Sequence, residues 1–489
     1  MSSTEFLSSS SPGGDPQQAD VVVVGAGITG LTLALRLHQQ GIRVVVVEAQ
    51  SCPGGCISTR SAGGYRWEEG PNSFMPTPAL LNLIAEVGLA DQLLLADGKL
   101  PRFVYWEGEL LPIPMSPGSL LGSRLLSIGG KLRALLGVLG FVGSPPGREE
   151  SVEQFFRRQL GSEVVQRLVI PFVSGVYAGD AAQLSAAAAF ARIADLEANY
   201  GSLLAGFWQA PRIPPEPISP HIQPRPRRGQ LGNFRQGLQQ LPEALAQRLG
   251  SHLHLNWRVT GIQPTHPGYL LQGTTPTGSA LLQTRSLVLT VPAYVASPLL
   301  QAWQPDLADI LGQIPYAPVA VVALGYPSDA LPQPLRGFGH LIPRSQGLRT
   351  LGTIWASCLF EGRAPQGYHC FLNFIGGATD HAYARSRGIP PITALSTAQR
   401  TEIIHQELSQ ILLTRPADPQ FLGERLWQPA IPQYTLGHRQ RQQRIREIQA
   451  GIPGFFLCAN YQEGVSLGDC VKQAERQASE LMTWLKSST

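Results

Sequence analysis

The first clear pattern in the chain is an unbroken run of four valines, Val21 to Val24. A continuous β-branched run bounded by Gly reads as a parallel strand buried on both faces. From Ile28 to Gln39 the period changes, and Leu31, Leu35 and Leu37 give a helix an apolar side. Val44 to Val47 is a second buried run, so the three segments predict a β-α-β unit. Farther along, Ser286–Val291, Val319–Leu324 and Phe371–Ile375 read as strands, and Ala398–Leu413 as a helix. Helical spacing fills Ser151–Trp208. From Gly454 to Leu485 the pattern is a strand (Phe455–Cys458), a turn, and a helix from about Val465.

Three stretches break these rhythms. Leu110–Arg148 has no acidic residue and carries Arg124, Lys131, Arg133 and Arg148 among Leu, Ile, Val and Gly. Its core, Leu120–Phe141, admits two readings: a buried helix pair with snorkelling cations, or a surface that dips into an anionic bilayer interface. Pro211–Arg228 has seven prolines interleaved with arginines, which predicts a stiff, extended connection. Residues 1–19 are rich in Ser, Pro, Gly and Gln, without arginine or an apolar run, and predict a disordered start rather than a leader.

Composition narrows the class. A chain of 489 residues exceeds what one core usually serves, so two or three units are expected. Charged residues are only 15% against 43% apolar, yet no stretch of eighteen apolar residues would span a membrane. A net charge of +4, scattered along the chain, is too mild for a nucleic-acid binder and fits an anionic small molecule or a lipid surface better. The six cysteines form no C-x-x-C, which favours free thiols in a reducing compartment and no metal site.

The chemistry begins at Gly25-x-Gly27-x-x-Gly30, placed between the first strand and the helix. The first glycine permits the tight turn, the second lets backbone approach a pyrophosphate, and the third lets helix and strand pack closely. Glu48 ends the second strand, where a carboxylate accepts ribose hydroxyls. FAD is favoured over NAD by Gly54-Gly55-x-x-x-Thr59-Arg60, which brings flexible backbone and a cation to the diphosphate. The helix from about Val465 would aim its N-terminus at the flavin pyrimidine edge and favour the charge there on reduction.

Further motifs carry a resemblance. They are Trp67-Glu-Glu-Gly-Pro-Asn-Ser-Phe74, Pro101-Arg-Phe103, Ser144-Pro-Pro-Gly-Arg-Glu-Glu-Ser-Val152 and Pro171-Phe-Val-Ser-Gly-Val-Tyr-Ala-Gly-Asp180. Leu351-Gly-Thr-Ile354, Leu359-Phe360, Ala430-Ile-Pro-Gln433 and Gly464-Val-Ser-Leu-Gly468 complete the set. In these the chain, from about residue 20 to 475, resembles the oxygen-dependent protoporphyrinogen IX oxidases of plants and cyanobacteria. The Gly-Val-Tyr-Ala-Gly-Asp run is specific to that family, whereas the N-terminal fingerprint is shared with amine oxidases and carotene desaturases.

The resemblance implies a peripheral membrane enzyme with non-covalent FAD. It would take six electrons from protoporphyrinogen IX in three hydride transfers to flavin N5, without a catalytic side chain. O2 would reoxidise the flavin and leave as H2O2. The implied fold is α/β: a two-dinucleotide-binding-type FAD domain (20–95, 230–262 and 425–489), a helical membrane-binding domain (96–212), a Pro-rich linker (213–229) and a mixed-sheet substrate domain (263–424). Contacts to FAD are expected from Gly25, Ala26, Gly27, Ile28, Thr29, Gly30, Glu48, Ala49, Gly54, Gly55, Arg60, Gly70, Pro71, Asn72 and Ser73. Val259, Asn460, Val465, Ser466 and Leu467 are expected to complete them.

On the substrate side the resemblance assigns Arg102 to a propionate, Phe360 and Leu341 to opposite faces of a pyrrole, and Gly175 and Gly179 to the pocket wall beside the flavin. The sequence departs from the family at Cys52, Cys56 and Asp469, all at the cofactor's rim. A homodimer and a hand-off to a porphyrin metal chelatase stay open. So does the location: the cytoplasmic side of a thylakoid or plasma membrane, or a plastid if a leader was removed. Rival readings are a carotenoid desaturase or amine oxidase, which would not need Arg102, and coproporphyrinogen oxidation, which would want more cations. A silent binding protein on this fold would expect a degraded glycine fingerprint.

Overall fold

A computed structural model of the chain describes residues 17–143, 147–211, 216–227 and 229–487. The irregular start expected over residues 1–19 lies outside them except at 17–19, which already belong to the first strand, Gln17–Val24. That strand lies at the centre of a seven-stranded sheet. It pairs in parallel with Val44–Val47 on one side and with Gly278–Leu289 on the other. The helix Ile28–Gln39 and the strand Val44–Val47 have the bounds that the hydrophobic period predicts. The helix packs against Gln240–Leu249 and the long final helix, Leu467–Ser487. Phe455–Leu457 joins the same sheet, so distant parts of the chain close one core.

A second sheet runs in the order Gln420–Pro432, Tyr316–Pro327, Tyr368–Gly376, Thr350–Trp355, Gly339–Leu341, Arg102–Trp106, Glu109–Pro112. One face is covered by the helix Thr397–Ile411 through Ile404, Leu408 and Leu412. The helical unit between Pro117 and Gln209 has its own core around Phe155, Phe156, Val165 and Leu184.

Sheet membership redraws the expected divisions. The hairpins over 258–289 and the helices Ala293–Leu300 and Pro305–Gly312 pack with the first sheet, so that unit extends to about residue 314 rather than ending at 262. Gln420–Pro432 stays in the second sheet, so the chain returns to the first unit after Pro432, not at 425. Arg102–Pro112 is likewise an edge of the second sheet and not part of the helical unit. A run of β-branched residues announces a strand, but it does not say which sheet will bond it. Part of the Pro-rich connection, 212–215 and 228, lies outside the described residues. The rest is docked, with Ile222 fully buried in the first core and Asn82 bonding Pro217 O and Ser219 N.

The basic, acid-free segment is not a buried pair. In Ile128–Val138 the small residues Ala134 and Gly137 face inward, and a Cβ on Gly137 would sit 1.6 Å from Gln159 O. The large residues face outward, with Ile128 85%, Leu132 56% and Leu135 55% exposed. Leu121, Leu139, Phe141, Phe207 and Trp208 are exposed as well. Arg133 is not a free surface cation, because its guanidinium bonds the carbonyls of Arg158 and Gln159. No helix among the described residues is long and apolar enough to cross a membrane.

Candidate active site

The glycine fingerprint shows three separate uses. Gly25 has φ +109°, and a Cβ there would meet Thr290 Oγ1 at 2.9 Å. A Cβ on Gly30 would strike Gly25 O at 2.0 Å, so this glycine serves the packing of helix against turn. A Cβ on Gly27 would meet nothing within 4 Å, which leaves open space above the turn at the helix N-terminus. Ile28 and Thr29, the first residues of that helix, are buried beneath it. Gly54 closes the other side, donating its N–H to Ala26 O at 2.8 Å, and Gly55 comes within van der Waals range of Gly27. Gly70 is needed for a third close approach, since a Cβ there would lie 1.9 Å from Cys56 O.

Glu48 anchors this turn. Its Oε2 accepts the Ala26 N–H at 2.8 Å and its Oε1 the Gln50 N–H at 2.9 Å. A carboxylate has about four lone-pair sites, so acceptor capacity remains for hydroxyls. Ala49 follows it, half-buried. Trp257 N–H donates to Glu48 O at 2.8 Å, just before the strand Arg258–Thr265 that carries Val259. Arg60 pairs with Glu69 at 3.3 Å, so its charge is shared within the rim rather than wholly free. Pro71 and Ser73 flank Asn72, whose O accepts from Asn233 Nδ2 at 2.7 Å while its own Nδ2 is buried without a partner. Asn460 O accepts the Tyr434 hydroxyl. Val465 and Ser466 lead into Leu467, the first residue of the final helix.

Cys56 faces this space. The residue is exposed to solvent, yet the surrounding protein raises its thiol pKa by desolvation. A glycine cradle, a helix N-terminus and an orphaned amide donor together fit a dinucleotide flavin.

On the second sheet, register sorts the residues by face. Gly339 pairs with Arg102, and Leu341 with Val104, so Arg102 and Leu341 share one face. A Cβ on Gly175 would overlap Leu341 Cδ2 at 2.3 Å, so the helix Ile170–Tyr177 touches that face directly. The Arg102 guanidinium lies 4.9 Å from the Phe338 ring centroid. Phe338 in turn packs in one cluster with Leu359, Phe360 and Ile354. Arg102 has no acidic partner among the described residues, and burial lowers its pKa.

Phe360 is itself buried, with the Arg363 guanidinium 5.6 Å from its ring centroid. Gly179 stands apart from Leu341, against Gln433 and Leu184. On the opposite face, His340 accepts from Trp355 Nε1 at 3.2 Å, and burial drives its pKa down to about 3. It is neutral and turned away from Arg102.

Several site residues receive no role from the sequence, although Gln433 and Ala178 lie inside motifs that carry the resemblance. Gln433 Nε2 donates to Tyr177 O at 2.9 Å and ties the second sheet to the helical unit, while its Oε1 is buried without a partner. Ala178 takes the left-handed conformation with φ 47°, unusual outside glycine, and accepts from Ala378 N–H at 2.7 Å. Arg363 is fully buried and bonds the carbonyls of Phe234 and Arg235. An arginine in a polar loop gives no sign of this in sequence.

The profile of the family described as flavin containing amine oxidoreductase matches residues 28–482. A chloroplastic protoporphyrinogen oxidase of Nicotiana tabacum is 43% identical over 98% of this chain and 88% of its own. The chain belongs to the protoporphyrinogen oxidases, within the flavin-containing amine oxidoreductases. It is a flavin oxidoreductase. A coproporphyrinogen III oxidase of Bacillus subtilis is more distant, at 27% identity over 96% of this chain and 98% of its own. A solved structure titled as a putative protoporphyrinogen oxidase from Exiguobacterium shares the fold, with TM-score 0.76 and 24% identity over 96% of this chain and 99% of that one.

Proposed function

We propose that the chain oxidises protoporphyrinogen IX to protoporphyrin IX with non-covalent FAD and O2. What carries the reading is Arg102: a partly desolvated cation without an acidic partner among the described residues, on an apolar sheet face that meets Gly175 of the helical unit. A guanidinium fork suits a propionate. The tobacco relative's name points to the same substrate. Four carboxylates, as in coproporphyrinogen, would call for more free cations on this face.

The chemistry that bound FAD supplies is hydride acceptance from a bridging methylene and return of the electrons to O2 as H2O2. The chain's own residues bind and orient. Gly25, Gly27 and Gly30 with the helix N-terminus hold the diphosphate, and Glu48 accepts ribose hydroxyls. Arg102 fixes one edge of the macrocycle, while Leu341, Gly175 and the Phe360 cluster shape an apolar, water-poor wall. Anaerobic mixing with protoporphyrinogen IX is expected to bleach the flavin absorbance while porphyrin fluorescence rises. Acid precipitation is expected to leave the flavin in the supernatant. Unbleached flavin would sink the activity, and yellow colour in the pellet would sink the non-covalent bond.

The same reading includes a membrane surface. The outward Ile128, Leu132 and Leu135, one face of the helix Ile128–Val138, are fit to enter the bilayer interface. Burying such side chains contributes roughly 1.5–3 kcal/mol each. The full chain is expected to float with anionic phosphatidylglycerol liposomes, and a form with all three changed to Glu is expected to stay at the bottom. Equal flotation of the two forms rules out this face.

A further inference from the structure

Two helix N-termini meet beside Gly27: the start of Ile28–Gln39 and the start of Leu467–Ser487. The helices share one core, and the Thr29 hydroxyl bonds the Cys470 thiol. Each terminus carries partial positive charge that favours an anion. Into this setting the first turn of the final helix brings a carboxylate, Asp469. Its N–H donates to Ser466 Oγ at 3.1 Å, and the Ser466 hydroxyl donates to Asp469 Oδ2 at 2.6 Å. The carboxylate is folded back over the helix start, since a Cβ on Gly464 would lie 2.5 Å from Oδ2. No arginine or lysine pairs with it among the described residues. Tyr177, at the end of the helix that bears Gly175, donates its hydroxyl to Ala189 O at 3.0 Å. Burial raises the Tyr177 phenol pKa, and the charge of Asp469 raises it further.

We propose that Asp469 lowers the reduction potential of the bound flavin by opposing the N-terminus of the final helix, Leu467–Ser487, at the pyrimidine edge. The inference rests on the flavin reading above. Gaining a hydride puts negative charge at the N1 and C2-carbonyl edge. The start of the final helix favours that charge and Asp469 disfavours it, so the balance tips toward the oxidised form and toward release of electrons to O2. Asp469 acts through the cofactor's electrostatics and abstracts nothing from substrate.

The test uses the flavin-loaded full chain. Asp469→Asn keeps an acceptor for Ser466 and removes the charge. Equilibration with a reference dye is expected to shift about tenfold toward reduced flavin, about 30 mV for a two-electron couple. Sulfite, which adds to flavin N5 and leaves negative charge at N1, is expected to bind on the order of tenfold more tightly. Asp469→Glu is expected to keep both values, and Glu463→Gln, which removes a nearby carboxylate already paired with Arg476, to move neither. If Asp469→Asn does not retain flavin, Asp469→Ser carries the same expectation. Unchanged potential and sulfite affinity on loss of the charge overturn the proposal. So does Glu463→Gln shifting both as far as Asp469→Asn. A wild-type chain that purifies without flavin absorbance overturns the underlying flavin reading instead.

Discussion

Replacing Arg102 with alanine is expected to raise KM for protoporphyrinogen IX about 10- to 100-fold, with kcat little changed. The size follows from a charge-assisted bidentate pair, about 1.5–3 kcal/mol. The effect falls on KM because a propionate is remote from the reacting methylene and is held alike in ground and transition states. The cation is partly desolvated, stacked at 4.9 Å on Phe338 and without an acidic partner among the described residues, so it is poised for an incoming anion. Arg102→Lys should recover only part of the loss, because an ammonium lacks the planar fork. The dimethyl ester of the substrate serves as control. Wild type should handle it less well than the acid, and Arg102→Ala should treat the two nearly alike. If the variant loses as much on the ester as on the acid, Arg102 holds up the sheet edge and binds no propionate.

The second large effect separates two glycines three residues apart. Gly27 has φ −70°, and a Cβ there would meet nothing within 4 Å, so Gly27→Ala should fold with an unchanged apo melting temperature. It should nevertheless weaken flavin binding about 10- to 100-fold, the cost of losing one or two charge-assisted bonds to the diphosphate. Gly30→Ala should do the reverse in order of events. Its Cβ would lie 2.0 Å from Gly25 O, backbone against backbone, so the apo protein itself is expected to lose about 1–3 kcal/mol or more. Thermal melts of the apo forms and flavin titrations together decide the matter. A Gly27→Ala protein that melts early, or one that holds flavin like wild type, contradicts this division of labour.

These glycines also show why part of the molecule could be read directly. Spacing alone places a strand, a tight turn and a helix in register, and the bounds of Ile28–Gln39 and Val44–Val47 follow from local period. What failed to show in sequence was non-local. Arg258–Thr265 and Gly268–Thr275 look like any other hairpin, and nothing in them announces pairing through Gly278–Leu289 to the first sheet. The segment around Leu132 is apolar whichever way it faces. Its orientation is decided by the small inward residues Ala134 and Gly137, the latter letting the helix approach Gln159. Arg133 looked like a surface cation because its partners are backbone carbonyls of Arg158 and Gln159, which leave no trace in composition. On the substrate side, the register of Arg102 with Gly339 could not be read from sequence, although the motif around Arg102 could.

The position of Gln17–Val24 has a bearing on how the molecule comes into being. One neighbour, Val44–Val47, is at hand within a few tens of residues, but the other, Gly278–Leu289, comes far later in the chain. The helix that caps the cofactor space, Leu467–Ser487, comes later still and packs on Ile28–Gln39. Closing such long loops is slow, since the chain must be drawn together before those contacts can reward it. A nascent chain that has made only its glycine turn therefore has an unfinished sheet edge and an open cofactor site. Flavin capture becomes a late event on the folding route, and a chain truncated before Leu467 should neither retain flavin nor bury the apolar side of its first helix. Cofactor retention is thus a readout of completed assembly, and the exposed valine edge is the part most in need of protection until then.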